Sequence, residues 1–213
     1  MAAHPGYTPP PLAPPAIVQR YQDALAALPI PPYLVFEYTV DQVGWHDLAQ
    51  THRIYRAEGV QRDELIADSG HPVKPVVVRI KHGVRDRYAV GNVAPQPPGY
   101  TFTYAGTVHA GSHPAYVFTT KPTGAPRGFS VRRVVIDGVS YLPTQISFDT
   151  HGNKASGAGT MFFAKSGEYW VPTRVAVAAQ VDGNKATESI AFSGYSFPSA
   201  LPPATFKAAR SAP

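Results

Sequence analysis

Two histidines four residues apart, in His109-Ala110-Gly111-Ser112-His113, have the spacing closest to a metal site in this chain. On a helix, residues i and i+4 share a face, and two imidazoles so placed can bind zinc. Gly111-Ser112 points instead to a hairpin turn, and no carboxylate or third ligand lies close in sequence. His46-Asp47, beside Trp45, suggests a general-base pair. Adjacent residues on an extended chain point to opposite faces, however, and the pair sits in a turn after Gly44. Serine, histidine and aspartate are all plentiful, yet no Gly-x-Ser-x-Gly elbow sets up a nucleophile. Gly152, Gly157 and Gly159 form no phosphate loop; Gly157-Ala158-Gly159 lies inside a strand-like run, where glycine marks a bend or bulge. Trp170 and the 12 tyrosines could stack on sugars, or simply pack between strands. The expectation is therefore a non-enzyme with no cofactor. A metal-dependent enzyme through His109 and His113 is a minor alternative.

What elements must position these residues follows from composition and periodicity. The chain has 213 residues, of which 44% are hydrophobic, enough for a sizeable single core. Only 15% are charged, below the roughly 25% usual for soluble domains, so Thr, Ser, Gln, Asn and Tyr must cover much of the surface. Secreted and envelope β-proteins share this composition. The formal charge is +5, from 19 Lys and Arg against 14 Asp and Glu, and only Arg79–Arg87 is densely basic. That segment reads as a solvated sheet face, or as an anion-facing patch for lipid headgroups or an acidic partner. No recognised nucleic-acid module is visible. Without cysteine, the chain as given can form no disulfide or thiolate site and carries no cysteine for a lipid anchor. No run of 18 apolar residues exists to span a bilayer. The start has no charged n-region and apolar h-region, which fits a cytosolic chain or a mature exported protein whose signal has been removed; six prolines in the first 15 residues, read as a semi-rigid spacer, favour the second.

Residues 1–15 are expected to be a disordered Pro-rich leader, 16–206 a single domain and 207–213 a flexible tail. Pro14-Pro15 opens a helix, Ala16–Leu28, with Ile17, Tyr21, Ala24, Leu25 and Leu28 on one apolar face, and Pro29-Ile30-Pro31-Pro32 ends it. Strand signals follow at Tyr33–Asp41, Thr51–Glu58, Val60–Ala67, Val76–Lys81, Asp86–Val90, Tyr100–His109 and His113–Lys121. Five more close the chain: Val131–Asp137, Thr144–Thr150, Ala155–Ala164, Trp170–Val181 and Ala186–Tyr195, each ending at a turn signal such as Asp137-Gly138 or Asp182-Gly183-Asn184. Asp68–Pro75 and Val93–Gly99 read as proline-bearing loops suited to a flap or a sheet edge. The fold class is mainly β (α+β): an antiparallel meander of about eleven strands, curved or closed, with the helix on its concave side.

The punctuation of the C-terminal third carries a family likeness. Tyr141-Leu142-Pro143 leads a strand into Asp149-Thr150-His151-Gly152; Trp170-Val171-Pro172 heads a long strand; Ile190–Tyr195, Leu201-Pro202 and Phe206 follow. With the helix feeding the strand at Tyr33, this resembles the LolA/LolB-like superfamily over roughly residues 16–206. The resemblance implies an eleven-stranded half-barrel with helices in its mouth. It also implies a periplasmic or surface protein that carries lipoprotein acyl chains or lipids, or regulates an envelope response. The chain departs from the carrier pattern in having one good helix, with Pro-rich loops where carriers add others. For the basic residue that carriers place in their cavity, Arg53, Arg56 and Arg79 all compete.

The expected ligand is a lipid, a lipoprotein acyl chain or a similar apolar molecule, bound by a monomer in the periplasm, cell envelope or secreted fraction. Burying a methylene gains about 0.8 kcal/mol, so a 16-carbon chain gains roughly 13 kcal/mol before ordering costs. Candidate lining residues come from the alternating faces: Leu34, Phe36, Tyr38 and Val40 in the first strand, then Phe102 and Phe118. Ile146 and Phe148, Val175 and Val177, and Ile190 and Phe192 continue the face. The same alternation suits an ordinary core beneath the helix. The alternative function is an envelope interaction or sensor module on the same fold, without transferable cargo; contact with a membrane surface or an envelope protein fits either.

Overall fold

The computed structural model describes residues 12–84, 88–110, 113–125 and 128–207. Nearly all of the expected leader and tail lies outside them, as do Arg85 and Arg87 of the basic segment.

Helix α1 spans Pro14–Ala26, with prolines in its first turn where the absent N–H removes no helical bond. Ile17, Tyr21 and Leu25 are its buried stripe. Pro29 follows two residues beyond the cap at Ala27, since the ring cannot continue the helix.

Eleven strands build one antiparallel sheet. They are β1 (Tyr33–Val43), β2 (Leu48–Ala57), β3 (Val60–Asp68), β4 (His71–His82), β5 (Tyr100–Ala110), β6 (His113–Pro122), β7 (Phe129–Asp137), β8 (Pro143–His151), β9 (Ala155–Ser166), β10 (Tyr169–Val181) and β11 (Asn184–Ser196). A short helix, α2 (Val90–Val93), lies between β4 and β5, and a 3-10 turn, Pro203–Phe206, follows β11. The spatial order is β4-β3-β2-β1-β11-β10-β9-β8-β7-β6-β5. First and last strands therefore pair inside the sheet, fourth and fifth from the β4 edge, while the consecutive strands β4 and β5 stand at the two open ends. Irregularities at Val35/Glu37, Thr51/His52, Tyr104/Gly106 and Pro172/Arg174 bend the strands, as bulges do. The result is a curved, unclosed half-barrel, the open one of the two shapes the alternation allows and the one the resemblance implies.

One transverse row shows how the concave face is filled. Val40, Ile190, Val175, Met161, Ile146, Val134 and Phe118 are successive register partners across seven strands, and all are buried in one cluster with Ile17, Tyr21 and Leu25 of α1. Helix α1 thus lies on the concave face.

The order puts the end of β4 and the start of β5 at opposite ends of the sheet. Residues 88–99, which lead into β5, cross the concave mouth as a strap. Val90 and Val93 of α2 are buried in the main cluster, and Tyr21 Oη donates to the Pro95 carbonyl at 2.9 Å. Burial pushes the Tyr21 phenol well above its ordinary range, so it remains a donor.

Two expectations need correction. Asp86–Val90 is not a strand: Tyr88 lies in a turn and Val90 opens α2, while Asp86 and Arg87 lie outside the described residues. A segment that travels between opposite sheet ends has no neighbour to ladder with. Asp68–Pro75 is not a loop either. The turn is only Ser69-Gly70, both at positive φ (50° and 77°) as a tight hairpin turn requires. Pro72 and Pro75 belong to β4, an end strand, where a missing N–H is tolerated. The ladder resumes at Val77 opposite Leu65 after Pro72 opposite Ala67, so Val73–Val76 bulge outward.

Candidate functional site

A cavity of about 660 Å³ opens at one rim of the concave face. The starts of β1 and β10 and the ends of β2 and β11 converge on that rim. They contribute Leu34 and Phe36, Tyr169–Pro172, Arg56 and Ala57, and Phe192 and Tyr195. The last turn of α1 and the link after it add Leu25, Leu28 and Pro29–Pro32; the strap adds Tyr88–Asn92. Its size lies within the 300–1,000 Å³ of typical small-molecule sites.

The walls are aromatic, and the polar tips of Trp170 and Tyr195 are tied off. Trp170 Nε1 donates to the Pro143 carbonyl at 2.8 Å, and Tyr195 Oη to the Pro172 carbonyl at 2.7 Å. The rings themselves are left as wall. Phe36 stacks on Tyr195 at 5.4 Å and tilts against Phe192 at 6.1 Å, which in turn takes Tyr88 edge-on at 5.4 Å. Among the described residues, Arg56 and Glu58 are the charged lining side chains, and no histidine, serine or aspartate joins them. The Arg56 guanidinium lies 5.5 Å above the Phe36 ring and donates to Gln61 Oε1 at 2.8 and 3.2 Å. Such a cation over a ring is held by the ring quadrupole as well as by its hydrogen bonds. Of the three basic candidates, Arg56 therefore lines the cavity. Arg53 turns to the other face and chelates Glu37 Oε1 at 2.7 and 2.9 Å. Arg79 sits opposite Asp63 in the β3–β4 register.

The twelve apolar candidates all belong to the concave cluster or pack against it. Leu34, Phe36 and Phe192 line the cavity. Val40, Phe118, Ile146, Phe148, Val175 and Ile190 are buried in the filled part of the core. Phe102 meets Tyr21 of α1 edge-on at 5.9 Å. Val177 borders a separate hollow of about 160 Å³ near Trp45, at the opposite rim. Tyr38 stacks flat on His52 at 4.8 Å, beside a charged cluster. There His52 Nδ1 lies 2.7 Å from Asp63 Oδ1, and Lys81 Nζ lies 3.4 Å from Asp63 Oδ2. Burial alone would raise the Asp63 carboxyl; His52, by hydrogen bond and charge, and the Lys81 ammonium hold it below its usual range. Burial first, and then the Asp63 charge, push the Tyr38 phenol well up.

The alternation signal could not see the strap, the helix end or the Pro29–Pro32 link as cavity wall, because none of them is a strand. The signal that did exist was Trp170-Val171-Pro172 and Tyr195, which the sequence offered as punctuation. The chemical candidates take structural places. Asp47 Oδ1 accepts from the Gly44 N–H at 3.0 Å and closes the β1–β2 turn. His109 and His113 are exposed on the two arms of the β5–β6 hairpin. Among the described residues, no three His, Cys, Asp or Glu side chains could hold one metal ion. Gly157 and Gly159 mark close approach rather than a bulge. A Cβ on Gly159 would strike the Phe148 ring and, at 2.8 Å, the Ala176 carbonyl.

No family model matches the chain, and no curated protein sequence does. Solved structures do. A domain from Vibrio parahaemolyticus, described as an outer membrane lipoprotein-sorting protein, superposes with a TM-score of 0.51 at 14% identity, over 89% of this chain and 95% of that one. A LolA superfamily protein from Nitrosomonas europaea gives 0.42 at 10% identity, over 92% and 98%. A DUF1329 family protein from Desulfovibrio piger gives 0.47 at 11%, over 91% and 96%. At 14% identity the likeness to the Vibrio domain is one of fold: the chain is a LolA-like half-barrel.

Proposed function

We propose that this chain is an extracytoplasmic binding or carrier protein that holds an acyl chain or a similar apolar molecule in the cavity at the rim of its half-barrel. One observation carries the reading. Beside a filled core, the concave face keeps a hollow of about 660 Å³ walled by Leu34, Phe36, Trp170, Phe192 and Tyr195. A core that served stability alone would close such a space, because unfilled volume costs stability. With their polar tips bonded to backbone carbonyls, Trp170 and Tyr195 turn apolar ring surface to the cavity, which suits an apolar guest. Arg56 and Glu58 line the cavity where a polar end would lie. Ile30, 89% exposed on the Pro-rich link, forms an apolar lip, suited to contact with a membrane surface or an acylated donor. The fold agrees with the reading, since the similar Vibrio domain is described by lipoprotein sorting. No described helix is long and apolar enough to cross a membrane.

Purification without detergent, followed by native mass spectrometry and lipid extraction, tests this directly. The expected result is co-purified lipid, or stoichiometric uptake of a fluorescent 16-carbon fatty acid by the emptied protein. Protein that carries no lipid and takes up none sinks the reading.

A further inference from the structure

We propose that this chain pairs with a second copy of itself through the free edge of β5, antiparallel and centred on Phe102. The inference stands apart from the binding role proposed above, since no β5 residue lines the cavity. Its first ground is that the two ends of the sheet differ. At one end, β4 is closed to a further strand. Pro72 and Pro75 carry no N–H, Val73–Val76 bulge outward, and Lys74, Arg79 and Lys81 add charge. Natural edge strands refuse pairing by such devices. At the other end, β5 contains no proline and no Asp, Glu, Lys or Arg. Before its irregularity at Tyr104/Gly106 it runs in unbroken register with β6. Thr101, Thr103 and Tyr104 are exposed there.

The second ground is the sequence of that regular stretch. Tyr100-Thr101-Phe102-Thr103-Tyr104 reads the same in both directions. Two antiparallel copies centred on Phe102 therefore set Phe102 against Phe102, Tyr100 against Tyr104 and Thr101 against Thr103. Aromatic pairs and threonine pairs are favourable across strands, and no like charges meet. A two-fold contact needs a self-complementary surface, which a palindromic edge supplies. The backbone has the matching phase. The Thr123 N–H donates to the Gly99 carbonyl at 3.0 Å, so Gly99 turns its polar groups to the β6 side. By the alternation of an antiparallel ladder, Thr101 and Thr103 do the same, while Tyr100, Phe102 and Tyr104 turn theirs outward. The Tyr100 N–H is bonded to the Gln96 carbonyl at 3.1 Å. The outward N–H groups of Phe102 and Tyr104, and the carbonyls of Tyr100 and Phe102, face the open edge. In the pair, each Phe102 N–H donates to the other copy's Phe102 carbonyl, and each Tyr104 N–H to the other copy's Tyr100 carbonyl. Because β4 is closed, pairing stops at two copies and builds no filament. One short strand makes a small contact, so the pair is weak; it replaces the monomer expected from the sequence.

Sedimentation equilibrium over about 1–500 μM tests this. The mass is expected to rise towards twice that of one chain, and the Phe102 and Tyr104 amides to exchange more slowly as concentration rises. Thr101→Lys combined with Thr103→Lys sets like charges together at both threonine pairs and is expected to weaken the pair about tenfold. Thr101→Lys combined with Thr103→Glu sets opposite charges together in the same register, and is expected to restore the pair to within about threefold of the parent. Both positions are exposed, and circular dichroism checks that each variant is folded. A chain that stays monomeric throughout, with those two amides exchanging equally fast at every concentration, overturns the proposal and leaves the edge to a strand of another protein. A pair that the two lysines do not weaken, or that Thr103→Glu does not restore, is not built on this register and overturns it as well.

Discussion

Asp63 shows how much one buried carboxylate organises at the residue scale. It ties β2 to β4 by accepting from His52 and Lys81, and its pKa is held below the usual range. A depressed carboxylate contributes stability above its unfolded pKa, near ~3.9, and that contribution is lost as pH falls through the folded value. Asp63→Ala is therefore expected to cost about 2–3 kcal/mol at pH 7, read from urea midpoints. The gap to the parent protein should shrink below about pH 4; a gap independent of pH would contradict the assignment. Gly159 makes the opposite point, a residue needed for having no side chain. Gly159→Val drives branched atoms into Phe148 and the Ala176 carbonyl and should destabilise by about 2–3 kcal/mol. The same substitution at Gly91, where a Cβ meets nothing within 4 Å, should cost about 1 kcal/mol or less.

At the scale of elements, α1 and the strap act as one unit. The helix has only thirteen residues, too few to stand alone in water. Its order comes from burying Ile17, Tyr21 and Leu25 on the sheet. Tyr21→Phe keeps the ring and orphans the Pro95 carbonyl, for an expected loss of about 1–2 kcal/mol. Faster amide exchange in the strap and in α1, with the β8–β10 amides unchanged, would show that the two elements move together. Exchange that rises uniformly would show that they do not. The strap also explains the sequence errors in its neighbourhood. Tyr88 and Val90 look strand-like because they must be apolar, but they face α1 and the cavity rather than a strand partner. Pro72 and Pro75 look like loop residues because they cannot ladder on two sides, and β4 ladders on one.

For the whole molecule, ligand binding and stability are linked. A guest at one hundred times its Kd stabilises by about 2.7 kcal/mol, which for a chain of this size raises Tm by roughly 5–10 °C. Palmitate is expected to do this with the parent protein, and with Phe36→Asp much less, because the new carboxylate would face the alkyl chain. No shift with the parent at saturating palmitate would contradict the proposed binding role.

The sequence by itself marked all eleven strands, with a twelfth signal at Asp86–Val90 that did not hold, and the two-faced alternation, the helix and its apolar stripe. Each is written in local periodicity, which two or four residues suffice to express. It also set the twelve apolar positions on one face, from Leu34 to Phe192. Only the tertiary structure decided which of them α1 covers and which border empty space. Periodicity says where a side chain points, whereas a cavity is what remains after distant segments have packed. Here those segments are the end of α1, the strap and the head of β10, far apart in sequence and met only because β4 and β5 close the two ends of one sheet.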